Sequence, residues 1–273
     1  MAMRLITEIR HRSPAPGCAY CGRTAQTRDH VVPKQLWPSG SRPRLILTVP
    51  ACAKCNQGFK KDEDYFNAVL QSRVPDGSHP AATAVFEGPM QRNFEERPHL
   101  LDLFFPDASE EVRKRADGAI EEFVRFRVYR PRIERVLSKM VRGFYYHLHG
   151  VRFPNGLKIV AEPVNPENLT DLQGFLAETE DEYFFGDDPP AFTLRWREAD
   201  DVTDKRIAGS IACGFYFYGC TPYYAIAVPR ARFKQQHDSH HGLKSKRNSL
   251  CNCGSGKKYK RCCGGNSAHA EMN

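Results

Sequence analysis

Cys18-Ala19-Tyr20-Cys21, Asp29-His30-Val31-Val32-Pro33-Lys34 and Cys52-Ala53-Lys54-Cys55-Asn56 decide how the first part of this chain folds. The two CxxC pairs are knuckles with 30 residues between them. Four thiolates supplied in this way close a tetrahedral site, which suits structural zinc and leaves no coordination position open. Such a site ties chain ends together in a segment too small to build much core. By themselves the cysteines describe a zinc ribbon, which serves equally in catalysis, in nucleic-acid binding or as a purely structural element.

The rest of the chain frames this segment. With 273 residues, 41% of them hydrophobic, there is material for one large core or two modest ones and an appendage. No apolar run approaches the roughly 18 to 20 residues of a membrane helix. The opening MAMRLITEIRHRS has no apolar signal region, so a cytoplasmic protein without a membrane partner is expected. Ten cysteines there are thiols or metal ligands rather than disulfides. Residues 228–273 carry ten Lys and Arg against Asp238 and Glu271, which accounts for the whole formal charge of +8. A basic tail on a neutral body implies a polyanionic partner or a solubilising segment.

Between the ends, residues 76–106 read as a Pro- and Gly-rich connector, and ASEEVRKRADGAIEEFVRFRV as a helix. Pro131 to His149 is the strongest helix, with Ile133, Val136, Leu137, Met140, Val141 and Phe144 on one face and Gly150 as its stop. Arg132, Arg135, Lys139 and Arg142 form a stripe beside that face, read as solvated or as a track for phosphates. Strand-like runs follow at Lys158–Glu162, Ala191–Trp196, Ile207–Phe217 and Tyr223–Val228, the last two as a hairpin. Cys213 and Cys220 read as free buried thiols.

The order CxxC…DHVVPK…CxxCNxxxK resembles the HNH endonucleases with a zinc-supported ββα-metal fold. The resemblance covers about residues 15–65. It implies that His30 is the general base, that Asp29 and Asn56 hold Mg²⁺ or a similar divalent cation, and that Lys34 and Lys60 contact nucleic acid. One element departs from the pattern: the middle Asn expected a few residues before Cys52 is missing from RPRLILTVPAC. Thr48 is the nearest residue able to hydrogen-bond the loop that presents His30.

At the other end, Cys251-Asn-Cys253 and Cys262-Cys263, with eight residues between the pairs, closely resemble the SEC-C motif. The resemblance implies a second zinc and an interaction surface for a protein partner. The expected whole is an α+β protein with an HNH zinc domain at 1–75 and a central α+β domain at 76–229. A basic linker at 230–248 and a SEC-C zinc module at 249–266 complete it. The expected function is metal-dependent hydrolysis of nucleic acid, DNA first. The alternative is a non-cutting zinc-dependent nucleic-acid-binding or adaptor protein.

Overall fold

The computed structural model describes residues 2–5, 17–38, 40, 42–43, 46–75, 77–115, 117–164, 181–185, 189–199, 209–230 and 258. Its elements begin with β1 (Ala2–Leu5), β2 (Thr27–His30), a short 3-10 turn at Lys34–Leu36, β3 (Thr48–Ala51) and α1 (Ala53–Gln71). Then come α2 (Pro80–Val85), a π turn at Phe86–Met90, α3 (Gln91–Glu96), α4 (His99–Phe104), β4 (Ser109–Lys114) and β5 (Ile120–Arg125). The last are α5 (Arg130–His149), β6 (Leu157–Pro163), β7 (Asp181–Phe185), β8 (Phe192–Glu198), β9 (Ile211–Phe217) and β10 (Thr221–Pro229). The mixed α+β class is as expected. The chain divides into two compact units, Met1–Val228 and Pro229–Asn273.

Six strands form one sheet in the order β1-β7-β8-β9-β10-β6. β1 joins it parallel to β7, and β7 to β10 run antiparallel in sequence. Central strand β9 is buried at six of its seven positions, whereas β8 and β10 alternate buried with half-buried residues. That contrast is what burial on both faces against burial on one produces. The sheet is covered by the two long helices. Phe144 of α5 stacks on Phe192 with ring centroids 6.0 Å apart, and Phe66 of α1 meets Phe217 edge-on at 5.3 Å. Among the described residues, buried side chains from Cys18 to Leu70 belong to the same hydrophobic cluster as those from Ala82 to Ala227.

α5 forms where its apolar period places it, and Gly150 ends it in the left-handed conformation at φ 69°. The β9–β10 hairpin also forms as expected. Its turn residue Tyr218 takes φ 53° and is held by its hydroxyl, which donates to Leu36 O and accepts from Gln71 Nε2, both at 2.8 Å. Two expectations fail. Residues 109–125 form the β4–β5 hairpin, not a helix. Asp117-Gly118 breaks the helical pattern: Gly118 takes φ +88°, and Asp117 Oδ1 accepts the Ala119 N–H at 3.0 Å. Glu111 and Arg125 then meet across the strands at 2.9 Å. Residues 76–106 are not a connector but carry α2 to α4. His79 opens α2 by accepting the Ala81 N–H at 3.1 Å, with Pro80 in its first turn. No described helix is long and apolar enough to cross a membrane.

Gly143 lies in the middle of α5, where a glycine costs stability unless something comes close. A Cβ there would sit 2.7 Å from both methyls of Val31, the residue that follows β2. Val31 is fully buried and β-branched, so it has no room to yield. Gly143→Ala should therefore destabilise the protein by about 1–3 kcal/mol, the usual cost of overpacking, rather than stabilise it as helix propensity alone would. Urea denaturation midpoints of the two proteins check the sign.

Candidate functional site

The four N-terminal cysteines converge. Cys18 opens a tight turn closed by the Cys18 N–H to Arg23 O at 2.6 Å and the Gly22 N–H to Cys18 O at 2.8 Å. Ala19 N–H to Pro50 O at 2.9 Å ties that turn to β3. Cys52 caps α1 and Cys55 lies in its first turn, so the second pair is presented by a helix start. All four sulfur atoms lie within 4.8 Å of one another, and those of Cys21 and Cys52 are 3.7 Å apart. A tetrahedral zinc with bonds of about 2.3 Å has sulfur–sulfur edges of about 3.8 Å, so the cluster has the size to hold such an ion.

The thiols are also prepared for a cation. Cys52 is pulled down to about 7, chiefly by the hydrogen bond from the Cys55 backbone N–H, while burial pushes the Cys55 thiol up. Among the described residues this is the only group of three or more His, Cys, Asp or Glu side chains placed to hold a metal.

β2, β3 and α1 follow one another as hairpin and helix. The strands pair antiparallel, with Asp29 opposite Val49 and His30 opposite Thr48. The side-chain amide of Asn56 donates from Nδ2 to Thr27 Oγ1 at 3.0 Å and to Arg28 O at 3.2 Å. A carbonyl only accepts, so this fixes which way the amide faces. Its oxygen, Oδ1, points away from those two contacts.

Asp29 is buried, not solvent-facing. Its Oδ2 accepts the Tyr20 hydroxyl at 2.7 Å and lies 3.0 Å from Lys139 Nζ. Lys139 comes from α5, its side chain fully buried, and its Nζ also donates to His30 O at 2.6 Å and pairs with Glu63 of α1. One ammonium thus joins β2, α1 and α5. Burial pushes the Glu63 carboxyl up against the pull of Lys139, and pushes the Tyr20 hydroxyl up beside Asp29. His30 is half-buried. Burial first, then Lys34, lowers its imidazole; Asp29 opposes this, while Lys139 and Arg42 act with it, and the net lowering leaves it neutral near pH 7.

The neighbours sort differently from the sequence reading. Thr48 Oγ1 accepts from Arg28 Nε at 2.8 Å, and no hydrogen bond from it to the segment after His30 is found among the described residues. The loop after His30 is fixed by Val31 N–H to Leu47 O at 3.0 Å and by Lys139 on the His30 carbonyl. The cationic stripe of α5 is not uniform: Lys139 is buried and Arg132 half-buried, while Arg135 is exposed though paired. Arg132 and Arg135 clasp Asp62 of α1 at 2.9 and 3.0 Å, Arg132 lies 4.3 Å over the Tyr65 ring, and Lys139 is buried. Lys34 and Lys60 are exposed. Cys213 is buried, as expected, but Cys220 is exposed in the β9–β10 turn.

Glu63 and Tyr20 were not singled out from the sequence, and Lys139 only as one cation of the α5 stripe. The available signal was Gly143, one turn beyond Lys139, which marks the helix face that meets the hairpin.

A family model for the SEC-C motif matches residues 247–265. Cys251, Cys253, Cys262 and Cys263 fall within it and lie outside the described residues. No curated protein and no solved structure matches the chain.

Lys139→Met fills the same space without the charge and leaves two buried carboxylates uncompensated. It should cost about 3–5 kcal/mol, the range for removing one partner of a buried ion pair. Adding Asp29→Asn and Glu63→Gln to that variant should recover much of the loss, which denaturant unfolding of the three proteins would measure.

Proposed function

We propose that this protein is a metal-dependent endonuclease of the HNH type, hydrolysing phosphodiester bonds of nucleic acid, DNA first. The observation that carries the reading is the pair of oriented oxygens. Asn56 spends its Nδ2 on the hairpin, and Asp29 spends Oδ2 on Tyr20 and Lys139. Each is left with one oxygen, Oδ1, to offer a hard cation, which takes oxygen ligands and keeps positions for water and phosphate. When bound, the cation supplies positive charge for the developing phosphorane and the leaving oxygen. His30, held neutral, takes the proton from the attacking water. Lys139 anchors the His30 carbonyl, the support for which the sequence offers no middle Asn.

Zinc is proposed at Cys18, Cys21, Cys52 and Cys55, where it fixes the start of the helix that carries Asn56. A second zinc is proposed in the SEC-C segment, through Cys251, Cys253, Cys262 and Cys263, with a protein partner there. Lys34 and Lys60 are exposed and free to approach phosphates as point charges. A cytoplasmic setting fits the reduced thiols.

The second reading, a zinc-dependent nucleic-acid-binding or adaptor protein that does not cut, is favoured by one observation. Asp29 is 5% exposed and already paired with Lys139.

Cleavage of plasmid, single-stranded and branched DNA with Mg²⁺ or Mn²⁺ separates the two. Wild type should cut, and His30→Ala should cut about two to four orders of magnitude more slowly, with zinc content near two equivalents in both. A wild type that cuts nothing with any divalent metal leaves the non-cutting reading. Equal rates for wild type and His30→Ala contradict the mechanism.

A further inference from the structure

Beside the candidate site lies a cavity of about 500 Å³ between the segment that leaves β2, helix α1 and helices α2 to α4. Its walls hold two side-chain acceptors with no partner among the described residues. Asn67 is 8% exposed, and its Oδ1 is buried without a hydrogen bond. Gln35 gives its Nε2 to Asp64 at 3.2 Å, leaving its Oε1 buried and unpaired. A buried acceptor left unsatisfied costs about 1–3 kcal/mol, so two on residues that line one cavity mark a place that a ligand with N–H donors completes.

The remaining walls say which ligand. Arg42, Arg92 and Arg97 line the cavity, all exposed, and none forms an ion pair with a described residue. Asp64 and Glu96 are its acids. Half-buried Phe94 and Phe104 present an apolar wall, edge to face at 6.3 Å. Buried amide acceptors, an aromatic wall and a rim of unpaired guanidinium groups together match a base with ring or exocyclic N–H groups, carried on a phosphate.

We propose that this cavity binds one unstacked nucleotide of a nucleic-acid strand, its base on Asn67 and Gln35 and its phosphate at the arginine rim. The volume lies within the range of small-ligand sites. Asn67 is 11 residues after Asn56 on α1, roughly 16 Å along the helix at 1.5 Å per residue. At about 3.4 Å per stacked nucleotide, the captured nucleotide lies no more than about five positions from the phosphate at Asn56. Only a base out of its stack can enter, so the site selects single-stranded or distorted segments. As a strand-binding site the cavity stands whether or not the protein cuts. Its spacing from the cut rests on the nuclease reading.

The test compares binding of the full-length, zinc-loaded protein to a fluorescein-labelled 20-mer of deoxyadenylate and to an abasic backbone of the same length. Fluorescence anisotropy reads both. Wild type should prefer the oligonucleotide. Asn67→Leu, which replaces an unsatisfied acceptor by an apolar group, should keep or raise the thermal midpoint and weaken oligonucleotide binding about tenfold. It should leave the abasic backbone's affinity unchanged, so the preference collapses. Arg97→Ala, an exposed change that cannot unfold the protein, should weaken both ligands and lower the salt slope by about one. Unchanged preference in Asn67→Leu overturns the proposal, as does failure of wild type to discriminate. If dAMP binds in an Asn67-dependent way while the oligonucleotide ignores Asn67, the occupant is a free nucleotide and the strand assignment is overturned. A protein that loses its preference on Asn67→Leu yet cuts nothing keeps this inference and loses the nuclease reading. One that cuts DNA while Asn67→Leu binds as wild type does the reverse.

Discussion

The ammonium of Lys139, with no exposed side-chain surface, is the constraint on which the arrangement of hairpin and helices depends. An unpaired charge in such a place costs several kcal/mol. It is offset only because Asp29 comes from β2, Glu63 from α1 and the His30 carbonyl from the strand end. Those partners cannot be met unless α5 lies hard against the hairpin, and Gly143 permits that approach by presenting no Cβ to Val31. The Asp62 clasp by Arg132 and Arg135 continues the same seam along α1. With α1 and α5 so joined, their aromatic faces bear on the large sheet through Phe66 and Phe144. Hairpin, helices and sheet are therefore one cooperative body in the first unit.

The thiol cluster is a second tie on the hairpin. Lys139 fixes β2 to α5, while Cys18 and Cys21 bring a loop to Cys52 and Cys55 at the junction of β3 and α1. Asp29 is held by both, through Lys139 and through Tyr20 of the Cys18–Cys21 turn, while Asn56 follows Cys55 on α1. Their relative placement depends on both, so loss of either support should loosen the site even where the fold survives.

Short-range pattern made part of this visible. Paired CxxC spacing names four ligands without any knowledge of the fold, because two knuckles can close on one ion wherever the intervening chain allows. The apolar period of α5 and the β-branched, aromatic runs of β9 and β10 are strong enough to survive tertiary context. Residues 107–128 misled because their charges suit a helix surface as well as a hairpin, and the deciding residues, Asp117 and Gly118, sit in the middle of the run. The cationic stripe of α5 misled for a different reason. Arg132, Arg135 and Lys139 are charged residues whose partners lie on α1, about 70 residues away in sequence, and nothing local distinguishes them from a solvated face. The support of His30 was invisible in the same way: its donor lies 109 residues further along the chain, not among the few residues before Cys52. In the second unit the SEC-C motif at 247–265 was legible from its cysteines alone.

Asp29 and Asn56 are proposed each to keep one oxygen for a divalent cation, while Tyr20 and Lys139 hold the other oxygen of Asp29. A crystal structure of the zinc-loaded protein soaked with Mn²⁺, with anomalous scattering recorded separately for the two metals, tests it most directly. The expected result is zinc among Cys18, Cys21, Cys52 and Cys55, and manganese on Asp29 Oδ1 and Asn56 Oδ1, with Asp29 Oδ2 still bonded to Tyr20 and Lys139. Zinc at the thiols with no manganese at Asp29 or Asn56 would contradict it.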